Sequence, residues 1–146
     1  SGIVVSSSAT YEGTVVVRVG PPPDGMCPVT PVQSSNGWQE MHPDTFGNGD
    51  VWALILSSPR FVAGQDTVIV WRATGTGVFG VIALDANGAQ VPPKSGPDPH
   101  SDSNWLRPGD EWETVFNFPH AGCWQLNVTR GANLNADLWL AIVSPP

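Results

Sequence analysis

The sequence predicts one all-β domain, a two-sheet sandwich of seven or eight antiparallel strands, and three observations predict it. The apolar runs are short, β-branched or aromatic, and bounded by Gly, Pro, Asn and Asp, which is the pattern of strands. No window keeps apolar residues at i, i+3, i+4 and i+7, the spacing that a packed helix needs. Turn residues recur between the runs: 15 prolines and 16 glycines in 146 residues, a share below the roughly 25–30% that marks disordered chains. That length fits a single domain over residues 1–146 with room for a real core.

The elements follow in chain order. Residues 2–7 and 13–19 read as an N-terminal strand pair within 1–20, and their Ile3-Val4-Val5 and Val15-Val16-Val17 runs are suited to pairing with a neighbour's sheet edge in assembly. Residues 21–50, with Pro21-Pro22-Pro23 and Asn48-Gly49, read as a long loop. Strands are expected at 51–57, 67–73 and 78–84, the last ending on an Asp85-Ala86-Asn87-Gly88 turn where Gly88 supplies a positive φ. Residues 91–108 read as a second long loop. Strands then return at 111–118, 123–129 and 137–143, the last two joined by Arg130-Gly131-Ala132-Asn133. Loops this long in a compact domain are uncommon, and functional sites concentrate on such loops.

Alternation assigns faces. Trp112, Thr114, Phe116 and Phe118 fall on one side of their strand, with Glu111, Glu113 and Asn117 on the other. Trp124, Leu126 and Val128 point inward, while Gln125, Asn127 and Thr129 point out. Residues 51–56 and 138–143 are apolar on both faces, so they are covered by the long loops or by another subunit, through which the chain would self-associate.

Charge narrows the function classes. The net charge is −7, and the six Lys and Arg residues are scattered singly, which excludes a phosphate-tracking stripe for nucleic acid and disfavours an anionic membrane surface. No apolar run approaches the roughly 20 residues that span a bilayer. The Ser1-Gly2-Ile3 start reads as a processed or trimmed terminus. Two cysteines among many turns indicate an oxidising, extracellular compartment, either bridged or as two buried thiols. Strict alternation puts Cys123 on the polar face, away from Trp124, so either the strand starts after Cys123 or, the favoured reading, a bridge pins the Cys27 segment as a loop across the outside of a sheet.

Chemistry-bearing residues are few. Seven tryptophans stand against one tyrosine. Trp38 and Trp105 lie in the long loops beside Asn36, Gln39, Glu40, Asp102 and Asn104, the composition of a sugar-stacking site. The other five lie in strands, where packing is the expected role. His42, His100 and His120, with Asp98 and Asp102, are the only candidates for a metal, and none has a short His-x-His spacing. Asp110, Glu111 and Glu113 read as a solvated strand face. No nucleophile elbow, phosphate loop or dinucleotide fingerprint is present, so no catalytic residue and no cofactor is expected.

Cys27-Pro28-Val29-Thr30 and Phe118-Pro119-His120-Ala121-Gly122-Cys123-Trp124, with the Phe46-Gly47-Asn48-Gly49-Asp50-Val51-Trp52 stretch between them, resemble a group of small secreted bacterial domains without an assigned function. The resemblance covers residues 27–143 and implies an immunoglobulin-like sandwich with a Cys27–Cys123 disulfide. The resulting expectation is a secreted or cell-surface interaction module for adhesion or subunit assembly. A carbohydrate-binding domain comes second, and a hydrolase of unknown class third.

Overall fold

The computed structural model describes residues 27–57, 60–101 and 103–146. The expected strands at 2–7 and 13–19 lie outside the described residues, as does any assembly role for them. Among the described residues the chain forms twelve strands and no helix.

One sheet has the order β1 (Gln33–Ser35), β2 (Trp38–Met41), β4 (Val51–Ile55), β6 (Asp66–Ala73), β10 (Asp110–Asn117) and β9 (Ser95–His100). The other runs β3 (Thr45–Gly47), β12 (Leu134–Val143), β11 (Gly122–Arg130), β7 (Phe79–Leu84) and β8 (Gln90–Val91). All these pairs are antiparallel; the two-residue β5 (Phe61–Val62) adds to β12 in parallel.

The six strands expected at 51–57, 67–73, 78–84, 111–118, 123–129 and 137–143 are present as β4, β6, β7, β10, β11 and β12. Trp71, Phe116 and Phe118 from the first sheet meet Trp124, Leu126, Leu138 and Leu140 from the second, all at 0% exposure. The indole N–H of Trp71 is satisfied inside this layer by Thr114 Oγ1 at 2.8 Å, so a polar atom enters the core without being orphaned. Arg130 of β11 ties the sheets together. It donates to the Ala73 carbonyl at 3.0 Å and to Asp110 at 2.8 Å, and its guanidinium lies 4.6 Å from the Trp112 ring.

Both presumed loops carry strands. Residues 21–50 contain β1, β2 and β3, and residues 91–108 contain β9. The β1–β2 hairpin turns on Asn36 and Gly37 at φ +51° and +84°, the two positive angles of a primed two-residue turn. Strand β9 holds Pro97 and Pro99 because it is an edge strand paired only to β10, where missing N–H groups cost no ladder bond.

The face of β4 that points away from the core is covered by the chain itself, whereas the outer face of β12 is only half-buried, with Ala141 exposed. Leu54 and Val70 form a second buried cluster with Trp105, flanked by half-buried Trp38 and Trp52. On the other sheet, the Cys27–Cys123 disulfide, with 5.5 Å between Cα atoms, fixes the incoming segment to the outside of β11. That segment then reaches β12, where the Thr30 N–H donates to the Trp139 carbonyl at 3.0 Å.

Candidate functional site

Residues 103–109 lie over the outer face of β4 and β6, held by two buried carboxylates. Glu40, on β2, is 2% exposed and accepts two hydrogen bonds from Arg107, at 2.9 and 2.7 Å, and one from the Trp105 indole N–H. The Arg107 guanidinium holds the Glu40 carboxyl below the ordinary carboxylate range against the opposing effect of burial. Glu111, on β10, is also buried, at 6%, and accepts from Arg72 Nε, Ser103 Oγ and His100. Arg72 spends its remaining N–H groups on the carbonyls of Trp105, Arg107 and Gly109. The solvated strand face expected for Asp110, Glu111 and Glu113 is therefore corrected at Glu111: the loop covers it, and three donors replace water. Asp110 stays exposed, and Glu113 is half-buried.

The loop brings Asn36, Trp38, Asn104 and Trp105 into one hollow of about 260 Å³; Gln39 does not line it and is bonded to Ser34 Oγ at 2.6 Å. Trp105 departs from its expected role: at 1% exposure its ring is no open stacking platform, and its N–H is committed to Glu40. Trp38 is half-buried. Asp102 lies outside the described residues.

The histidines are dispersed, each beside a different carboxylate. His42 is 3.3 Å from Asp50 and stacks on Trp52 with ring centroids 3.6 Å apart. His100 is bonded to Glu111, and His120 lies 3.1 Å from Asp85. Asp98 is exposed on β9, in register with Glu113. Among the described residues no three His, Cys, Asp or Glu side chains come together as a metal site.

The sequence reading missed a cleft of about 430 Å³ where the disulfide-anchored segment passes the edge of β12. Its walls are stiffened by Pro28, Pro31 and Pro43, whose φ angles are fixed by their rings. Val29 and Phe46 open onto it at 46% and 65% exposure, and Trp139 lines it half-buried. Asp44 and Asp137 supply its charge, and among the described residues no Lys or Arg lines it. Trp139 was assigned a packing role because it sits inside a strand. Only the neighbouring Cys-Pro-Val-Thr element, which crosses the sheet edge here, carried a signal for this position.

No protein-family profile matches the chain, and no curated protein does. Among solved structures, the chain is similar to a Bacillus anthracis protein described as a "Putative Lipoprotein", at 16% identity. The match covers 82% of this chain and 88% of that one with a TM-score of 0.50. At that identity the likeness is one of all-β fold alone.

Proposed function

We propose that the chain is a secreted or cell-surface interaction module without catalytic activity, which recognises a partner through the cleft beside β12. The observation that carries this reading is the pair Val29 and Phe46, large apolar side chains left exposed on the same rigid cleft. The other large exposed apolar residues, Leu56, Val78 and Leu106, lie outside this cleft. Exposed apolar groups that share a preformed depression are the usual mark of a recognition surface. The groups suited to acid–base chemistry are committed instead to holding loops: Glu111 and Glu40 are buried in ion pairs, and Ser103 donates to Glu111. The disulfide and the description of the Bacillus anthracis neighbour both support a location outside the cytoplasm. The test is binding of the labelled domain to the envelope of the cells that produce it. Saturable binding is expected; none, or binding that rises linearly without saturation, overturns the reading.

A second reading is favoured by the convergence of Asn36, Trp38 and Asn104 on one hollow, which gives a glycan one aromatic face and two amides. Titration with a glycan panel, read by fluorescence in the parent and in Trp38→Ala, tests it. A response that persists in Trp38→Ala removes this site.

A further inference from the structure

The edge of β12 that borders the cleft is incompletely paired. Strand β3 covers it from Leu134 to Ala136, in register with Gly47, Phe46 and Thr45. Thr30 takes over at Trp139, accepting from its N–H through Oγ1 at 2.9 Å and donating to its carbonyl at 3.0 Å. Strand β5 follows at Ile142 and Val143. Asp137 lies between the first two pieces, and on this edge no described strand pairs with it. Main-chain groups of residues two apart in a strand point the same way, so those of Asp137 face the same edge as those of Trp139. The gap opens into the cleft.

The chemistry around the gap selects its occupant. Among the described residues, Asp44 and Asp137 are in none of the ion pairs and the cleft carries no Lys or Arg. The one cationic candidate in it, His42, is beside Asp50. The chain as a whole has a net charge of −7. Phe46 and Val29 offer apolar contact next to these carboxylates.

We propose that the gap at Asp137 takes an extended segment of a partner protein that carries Lys or Arg beside a bulky apolar residue. Main-chain hydrogen bonds to Asp137 supply the sheet-edge contact, Asp44 and Asp137 receive the cation, and Phe46 and Val29 receive the apolar side chain. This deepens the interaction-module reading and rests on it.

The probes are two capped pentapeptides, Val-Lys-Val-Lys-Val and Val-Glu-Val-Glu-Val, titrated into the ¹⁵N-labelled domain. The basic peptide is expected to shift the amide resonances of Phe46, Asp137 and Trp139, and to bind several-fold more weakly on going from low to about 0.3 M salt. The substitution Asp44→Lys, at an exposed position that makes no ion pair, is expected to weaken binding about tenfold while the spectrum stays that of a folded domain. Equal binding of both peptides, no binding, or shifts confined to residues away from the cleft overturns the proposal. Shifts of the same three resonances on dilution without peptide also overturn it, because a second copy of the chain then fills the gap. If envelope binding saturates and is lost in Phe46→Asp while both peptides fail, the ligand class is wrong and the module reading stands. If envelope binding itself is absent, the module reading has failed.

Discussion

Arg107 donates two hydrogen bonds, at 2.9 and 2.7 Å, to the carboxylate of Glu40, 67 positions earlier in the chain. The pair converts the 103–109 segment from a tethered loop into a lid over Leu54 and Val70. Its guanidinium also lies 3.8 Å from the Trp52 ring, so one side chain serves both as an ion-pair partner and as cover for an apolar surface.

Breaking the pair therefore costs stability in a pH-dependent way. Glu40→Gln is expected to lower unfolding free energy by about 2 kcal/mol, less than the roughly 3–5 kcal/mol of a fully buried pair. The discount arises because Arg107 retains 27% side-chain exposure. Since the Glu40 carboxyl is held below its ordinary 4.5, its stabilisation is present above that value and lost as pH falls through the folded-state value. Denaturation of parent and variant across acid pH checks this: the two curves should draw together as pH falls below 4.5 and through the lower folded-state value.

His120 and Asp85 set a second pH dependence. The carbonyl of Ala121 raises the His120 pKa above its ordinary 6.5, burial opposes it, and the Asp85 carboxylate adds to the rise. Burial pushes Asp85 up, but the N–H groups of Ala89 and Asn87, with His120, outweigh it and hold the carboxyl below 3.8. The histidine's contribution is complete below 6.5 and lost as pH rises through its folded value. The aspartate's is present above 3.8 and lost as pH falls through its folded value. Both are present together between those limits, so the melting-temperature gap between the parent and His120→Gln should be widest between pH 3.8 and 6.5 and narrow as pH rises through the His120 folded-state value above 6.5. A gap that is constant through this range contradicts the pairing.

Gln125 is 1% exposed, and neither its oxygen nor its nitrogen has a hydrogen-bond partner. Its register neighbours are Leu84 and Trp139. A buried amide without partners costs more than an apolar side chain of like size, so Gln125→Leu is expected to raise stability by about 1 kcal/mol. Chemical denaturation checks it; a fall of that size would mean that the amide is bonded.

Because the 103–109 segment covers the outer face of β4, the domain is expected to stay at its monomer mass of 15.5 kDa across a concentration series. Light scattering without reductant makes the measurement. A discrete oligomer would place that face between subunits.

What the sequence made legible was the part governed by local pattern. Trp124, Leu126 and Val128 alternate with polar neighbours and all three are buried at 0% exposure, but the wet face expected opposite them is not wet, because Gln125 and Asn127 are buried at 1% and 2%. The placement of Cys123 away from Trp124 led to the segment that crosses the sheet, and the bridge to Cys27 is there. The hairpin at Asn36-Gly37 was also legible in principle, since that dipeptide is a strong two-residue turn signal, but the polar strands around it hid it. Glu40 and Glu111 were not legible, because their partners Arg107, Arg72 and His100 come from distant segments. The cleft was hidden for the same reason: Pro28, Phe46 and Trp139 meet only after β3 has paired with β12 and the segment from Cys27 has crossed to Trp139.

The most direct test of the account compares envelope binding by Phe46→Asp and Leu106→Asp, two charge insertions at exposed apolar positions, 65% and 83% exposed in the parent. Phe46 lies in the cleft and Leu106 beside the Trp38 hollow. The expected result is a loss of about tenfold or more in affinity for Phe46→Asp, with Leu106→Asp unchanged. An unchanged affinity in Phe46→Asp, with the loss in Leu106→Asp instead, would contradict the account and move recognition to the hollow at Trp38.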